Sequence, residues 1–292
     1  MSDTGLVWIR EDFRIENNAA LSYATQNHQN VIAFFIYNNN DYDNKREAQK
    51  WWLSKSLENF KKDLSNYQIN LQIIKGDELN IFSKIKKNDN VSIYWNKIYE
   101  PDVIAKGKKI RDIFIKNKIN FKYFKGNILN EFQEVTKNDK TPFKVFTPFW
   151  RTAEKIYLSL PPSKNYTVKK KSKIKSFFKS SISSNDILPK KNWHKKFEKY
   201  WNVSENDSKK ILKNLIENKI KNYGTSRDIP SIEGTSKLSP YIKFGQIHVG
   251  TIWKKCNEIK SKGIGYRKYI NELGWREFSH SLINYFPEFL KG

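Results

Sequence analysis

The sequence predicts an α/β chain: a helix-covered parallel sheet over residues 1–130, an irregular connection over 131–199, and an all-α portion over 200–292. Three observations predict it. Short apolar runs alternate with amphipathic segments in the first part, the pattern breaks down in the middle, and after Trp201 only helical periodicity remains. The strands are expected at Gly5–Arg10, Val31–Tyr37, Ile69–Ile74, Val91–Trp95 and Ile119–Phe124, all rich in Val, Ile, Phe and Tyr and too short for helices. Between them Asn17–Asn27, Arg46–Tyr67, Glu78–Lys87 and Pro101–Lys118 have helical character, and Pro101 suits a first helical turn. Strand–helix alternation requires crossovers and therefore a parallel sheet buried on both faces. No G-x-G-x-x-G follows the first strand, so the usual dinucleotide fingerprint is absent.

From Asn130 to Lys199 the pattern loosens. Pro161-Pro162 breaks the chain, and Lys164–Lys179 contains seven lysines. This stretch reads as an inter-domain linker on the surface, with a secondary DNA contact as the alternative. Beyond it, Ser204 stands three residues before Asp207 as a capping signal, and Ile211, Leu212, Leu215, Ile216 and Ile220 line one stripe. Ser239-Pro240 is expected to open a further helix with Ser as N-cap and Pro at the first position. A last helix should run over Gly265–Tyr285 and stop at Pro287.

The chain has 292 residues, 38% of them hydrophobic and 15% aromatic, enough for two packed cores. No apolar run is long enough to cross a bilayer, and no secretory signal follows Met1. A cytoplasmic location is the default expectation. One cysteine, Cys256, excludes an internal disulfide and a cysteine-based metal site. The four histidines lack ligand-like spacing, and no metal is expected. The net charge of +24 favours an anionic partner, DNA or RNA first; a lysine-rich composition unrelated to binding is the alternative.

Three constellations carry chemistry. Gly234-Thr235-Ser236-Lys237-Leu238-Ser239-Pro240 sets three hydroxyls and several backbone N–H groups before a helix start, which suits a phosphate or diphosphate; a helix cap with surplus hydroxyls is the plainer reading. Glu272, Trp275 and Arg276, with Tyr269 one turn earlier, share a helical face. The indole can stack on a base, a contact of about 1–3 kcal/mol, and the carboxylate can accept from base N–H edges. The plainer reading is a core Trp beside an exposed Glu–Arg pair. In Tyr223-Gly224-Thr225-Ser226-Arg227-Asp228, Tyr223 could wall a cofactor and Arg227 could hold a phosphate.

The joint order of these motifs resembles the DNA photolyase/cryptochrome family. Y-x-x-x-R-D, then G-T-S-x-L-S-P-Y-x-x-F-G, then E-L-x-W-R-E-F fall in sequence, and Leu6-Val7-Trp8-Ile9-Arg10-Glu11-Asp12-Phe13-Arg14 is similar to the family's opening L-V-W-F-R-x-D-L-R. Tyr99-Glu100-Pro101 and Phe146-Thr147-Pro148-Phe149-Trp150 also fall in the family's order. The resemblance covers nearly the whole chain. It implies a Rossmann-like antenna domain, a long connection and an all-α FAD-binding domain that is incomplete here. It implies that Tyr223 packs at the FAD, that Thr235, Ser236, Lys237, Leu238 and Ser239 bind its diphosphate, and that Tyr269 and Arg276 border it. Arg227, Glu272, Trp275, Arg276 and Ser279 would face DNA, with Glu272 hydrogen-bonded to the damaged pyrimidines and Trp275 stacked on them.

The implied activity is that of a deoxyribodipyrimidine photolyase, a carbon–carbon lyase. Light drives an electron from reduced FAD into a cyclobutane pyrimidine dimer flipped out of the duplex. The alternative is a cryptochrome, a blue-light-sensing flavoprotein without repair; Glu272 and Trp275 favour repair. A third reading is a nucleic-acid-binding module without flavin. Two departures qualify the resemblance. The family continues past the position of Gly292, so 1–292 alone is expected to bind FAD poorly and to repair little, and a separately encoded carboxyl-terminal fragment is one source of the remainder. Folate-binding members carry Asn-Glu where this chain has Asp102-Val103, so a folate antenna is not expected and the second chromophore is open.

Overall fold

The computed structural model describes residues 3–38, 47–159, 166–172 and 175–291. Pro161-Pro162, Lys164 and Lys173 of the lysine-rich connection lie outside them. Strands β1 (Thr4–Ile9), β2 (Asn30–Tyr37), β3 (Asn70–Lys75), β4 (Val91–Asn96) and β5 (Asn120–Phe124) form one wholly parallel sheet in the order β3-β2-β1-β4-β5. Leu6 of β1 pairs with Ile32 of β2 and Ile93 of β4. Helices α1 (Ala19–Asn27), α2 (Glu47–Ser65), α3 (Glu78–Ser83) and α4 (Pro101–Lys116) make the crossovers. All five strands fall within one residue of their expected positions. The expected helix at Glu78–Lys87 stops at Ser83 and is followed by a short 3-10 turn at Lys87–Asp89.

Alternate strand residues serve separate cores, as the period of two demands. Leu6, Trp8, Ile32, Phe34, Ile93 and Trp95 pack against Phe82 of α3 and Ile110 and Phe114 of α4. Val7, Ile9, Val31, Ala33 and Phe35 pack against α1 and α2 on the opposite face. This second core does not end at α2. It continues into α8 (Ser239–Lys243), α9 (Val249–Asn257) and α10 (Ile264–Tyr285) through Tyr241, Trp253, Ile270 and Leu273. Trp52 of α2 is the hinge of that continuity: its ring meets Trp201, Tyr241 and Phe244, and its Nε1 donates to Gln246 Oε1 at 3.1 Å.

The connection has a structural task. Ile182 N donates to Ile73 O and Ser181 Oγ accepts from Ile73 N, so this segment covers the outer edge of β3. An uncovered edge strand is a template for unwanted pairing. The same stretch also hides α5 (Phe146–Ser159), which the loosened pattern did not reveal. Its inward stripe is Phe149, Trp150, Ala153 and Tyr157, and Pro148 falls in the first turn, where no N–H is needed.

Two further differences concern the helical portion. Ser204 does cap α6 (Glu205–Asn214), accepting from Asp207 N at 3.0 Å, but the stripe then passes through a π turn at Leu215–Lys219 and a 3-10 turn at Ile220–Asn222 before α7 (Tyr223–Ser226). The backbone there is held against α10: a Cβ on Gly265 would fall 2.1 Å from Ile220 O. At α8 the N-cap is Leu238, not Ser239, and Ser239 is the first helical residue. The local reason is the backbone: Ile242 N donates to Leu238 O at 3.0 Å as the first bond of the helix, and the Ser236 Oγ accepts from Leu238 N at 3.3 Å just before it. The last helix agrees with expectation, from Ile264 to Tyr285. Among the described residues no helix is long and apolar enough to cross a membrane.

Candidate functional site

A parallel sheet opens a crevice at the carboxyl ends of its strands where the winding order reverses. Here the reversal lies between β1, which leads to β2 and β3, and β4, which leads to β5. The segments leaving β1, β4 and β5 form one wall of a cavity of about 430 Å³, contributed by Glu11, Asp12, Arg14, Lys97–Glu100 and Gly126–Ile128. Tyr223, Ser236, Ser239, Ile242, Lys243 and the inner face of α10 form the other. That face is Tyr269, Glu272, Leu273, Arg276 and His280, a stripe at the 3- and 4-residue spacing of a helix.

Direct bonds fix the two walls to each other. Gly245 turns with φ +67°, and a Cβ there would lie 1.9 Å from Glu11 O, so only glycine lets the end of α8 approach the strand ends. Arg14 Nη1 donates to Gly245 O at 2.8 Å. Asn127 donates to Ile242 O at 2.8 Å and accepts from Val249 N at 2.7 Å. Arg276 Nη2 donates to Asn127 O at 2.7 Å, and its Nη1 donates to Glu277 Oε1 at 2.6 Å. Glu277 is buried and accepts from Leu129 N at 2.7 Å.

Charged groups cluster along part of the cavity wall. Lys243 Nζ lies 2.6 Å from Glu11 Oε1 and 2.7 Å from Glu100 Oε1. Burial alone would lower the ammonium pKa, but the two carboxylates outweigh it and raise it. Burial raises the Glu11 and Glu277 carboxyls, offset in part by Lys243 and Arg276 respectively. His280 is pushed down to about 3 by burial, then by Arg276 and Lys243, so it faces the cavity as a neutral ring. His248 is likewise pushed down to about 3 by burial and Arg14. Its Nδ1 accepts from Gly250 N and its Nε2 faces Gly126 O, which together specify the neutral Nε2–H tautomer.

The residues singled out from the sequence divide into three groups. Tyr223, Ser236, Ser239, Tyr269, Glu272 and Arg276 converge on the cavity. Tyr223 and Tyr269 meet edge to face at 5.1 Å, and burial raises the Tyr269 phenol beside the Ser236 hydroxyl. Arg227 joins this group through an ion pair with Glu272, its guanidinium 5.7 Å from the Tyr223 ring centre. Trp275 and Ser279 lie outside the cavity lining, on the neighbouring face of α10. At 3.6 residues per turn, Trp275 points about 60° from Glu272 and about 120° from Tyr269. Trp275 is 47% exposed and stacks on Phe146, while Ser279 Oγ donates to Trp275 O at 2.8 Å.

Thr235, Lys237 and Leu238 form the third group, also outside the lining. Thr235 is exposed and its carbonyl accepts from Lys219 Nζ. Lys237 has φ +57° and pairs with Glu233, and Leu238 is fully buried in the core. The sheet-side wall and Lys243, His280 and Asn127 escaped sequence reasoning. The available signal was position: Glu11 and Glu100 follow the two strands that flank the switch in winding order.

The model of the family described as DNA photolyase matches residues 5–167, more than half of the chain. This chain belongs to the DNA photolyase family. A deoxyribodipyrimidine photo-lyase of Agrobacterium fabrum is 29% identical over 97% of this chain and 60% of its own length. Cryptochrome-1 of Arabidopsis thaliana is 24% identical over 92% of this chain and 40% of its own length. The crystal structure of a bacterial class III photolyase from Agrobacterium tumefaciens superposes with a TM-score of 0.86 at 26% identity, covering 99% of this chain and 60% of that one. The chain thus spans about 60% of the length of the photolyases it matches.

Proposed function

We propose that this chain supplies the FAD-facing and lesion-facing wall of a photolyase that repairs cyclobutane pyrimidine dimers in DNA. The observation that carries the reading is the convergence of Tyr223, Ser236, Ser239, Tyr269, Glu272 and Arg276 on one cavity, with the exposed indole of Trp275 on the adjoining helix face. These residues fit FAD. Ser236 and Ser239 offer hydroxyls to a diphosphate, Tyr223 and Tyr269 offer aromatic walls, and Arg276 offers a cation held in place by Asn127 O and Glu277. When bound, reduced FAD supplies the light-driven electron that splits the dimer.

The chain's own part is to bind and orient. Glu272 is held by Arg227, so its second oxygen is free to accept a hydrogen bond from a pyrimidine N–H. Trp275 offers a stacking plane to a base that has left the helix. The net charge of +24 draws the DNA backbone and offsets part of the cost of flipping. The reading includes a cytoplasmic location, and a remaining segment, on this polypeptide or a separate one, that supplies the part of the relatives' length outside the match. The second chromophore is left unassigned.

The test is light-dependent loss of dimers from irradiated DNA together with bound flavin, measured for 1–292 alone and with that remaining segment supplied. The chain alone is expected to hold FAD substoichiometrically and to repair little, and the completed protein to do both. Stoichiometric flavin without dimer loss would favour the cryptochrome reading. Absence of bound flavin in both forms would leave only a DNA-binding module.

A further inference from the structure

Resting on the reading that Trp275 stacks on a lesion base, we propose that Phe146 is a positioning residue that makes Trp275 a one-sided platform. The geometry begins at Gly274. A Cβ there would lie 2.6 Å from the ring of Trp150, so the bare backbone lets α5 seat its indole directly on α10. Trp150 Nε1 donates to Asn271 Oδ1 at 2.9 Å, which fixes the register of the two helices. Phe146 lies one turn before Trp150 on α5, its ring within 10° of parallel to that indole. It therefore lands on Trp275, with ring centres 3.8 Å apart and planes 9° from parallel. Phe278 closes the flank, edge-on to both rings at 5.9 Å.

One face of the Trp275 indole is thus covered by Phe146, while the residue as a whole stays 47% exposed. The difference decides what the indole can bind. A ring open on both faces can slide between stacked bases of any duplex. A ring backed by Phe146 can only cap a base that already stands outside the stack. The cover also holds the indole plane before DNA arrives, so less side-chain freedom is lost on binding. Phe146 touches no substrate; it acts through Trp275, and the gain is selectivity for an extruded base over intact duplex.

Equilibrium binding to a duplex bearing one cyclobutane dimer and to the same duplex undamaged tests this. The proteins are wild type, Phe146→Leu, Phe146→Tyr, Trp275→Ala and the Phe146→Leu/Trp275→Ala double variant, with folding checked by near-UV circular dichroism. Phe146→Leu is expected to weaken binding to dimer DNA by roughly three- to tenfold, the value of one aromatic stack. Undamaged binding should stay within about twofold, Phe146→Tyr should restore the wild-type preference, and the double variant should match Trp275→Ala. If Phe146→Leu binds dimer DNA like wild type while Trp275→Ala binds it weakly, the role of Phe146 is overturned and that of Trp275 stands. If Trp275→Ala keeps full dimer affinity, the stacking reading itself fails and the role of Phe146 with it. Equal losses on both DNAs, or additive losses in the double variant, would assign Phe146 to helix packing alone and overturn the proposal.

Discussion

The two faces of α10 are built on opposite terms. On the inner face Glu272 and Arg276 are already engaged, with Arg227 and with Asn127 O and Glu277 respectively, and Glu277 beneath them ties the helix to Leu129. On the outer face Trp275 stacks on Phe146 of α5, Ser279 bonds within its own helix, and both stay open to solvent. The inner face carries polar groups because they fasten the helix to the strand ends, and burial makes those bonds expensive to break. The outer face carries little of that load and is free to meet a macromolecule. Damage to the anchored side should therefore register as lost stability. Damage to the open side should register as lost recognition.

The largest effect expected on the anchored side is from Glu277→Ala. It removes the acceptor of Leu129 N and one partner of Arg276 in a buried setting, and should cost about 3 kcal/mol in urea unfolding. A loss below about 1 kcal/mol, within the range of an exposed pair, would mean that the anchor is not energetic and would blur the contrast between the faces.

Acidification should come next. His248 and His280 sit at about 3 in the folded chain against an ordinary 6.5. Below pH 6.5 the unfolded chain takes up protons that the folded chain refuses, so stability is full above that value and falls as pH drops toward 3. Between neutral pH and pH 5 the pair should lose roughly 2 kcal/mol, after allowance for rings that are partly exposed. Glu11 and Glu277, held above the ordinary carboxylate range by burial, act in the opposite sense. His248→Asn isolates the histidine part: its denaturant midpoint should vary less with pH than that of the wild type, and an equal slope would remove His248 from the account.

The smallest effect expected is from Lys243→Met. Its pairs with Glu11 and Glu100 are partly exposed to the cavity, so about 0.5–1 kcal/mol is expected, shrinking in high salt. Thermal unfolding at low and high ionic strength reads this directly. A larger loss that salt does not change would move Lys243 into the class of Glu277.

The sequence was most legible where one physical rule acts alone. Buried parallel strands are continuous apolar runs, which made β1, β2 and β4 visible, while β5, largely exposed at the sheet edge, was visible through its aromatic residues. Pro287 set the end of α10 because a proline cannot continue a helix. It was less legible where two rules compete. Ser239-Pro240 has the composition of a cap, but Ile242 N donates to Leu238 O and the helix starts one residue earlier. Pro148 and the polar residues before it obscured α5, although Phe149, Trp150, Ala153 and Tyr157 hold its inward stripe.

In the site, spacing brought Tyr269, Glu272 and Arg276 together correctly because one helix carries all three. Spacing could not show what Trp275 meets, since its partner Phe146 is over a hundred residues away and reaches it only through the α5–α10 register. The sheet-side wall was invisible for the same reason. Glu11, Glu100 and Lys243 are ordinary charges in the sequence and become a cluster only when the strand order brings their ends together.

The placement of Trp52 has a wider consequence. Because α2 serves the sheet with one side and the carboxyl-terminal helices with the other, the core on that side of the sheet is closed only by both halves together. Heating that loosens the carboxyl-terminal helices should uncover that side of the sheet with them, and a protease cut in the lysine-rich crossing would leave both pieces clasped around a shared indole.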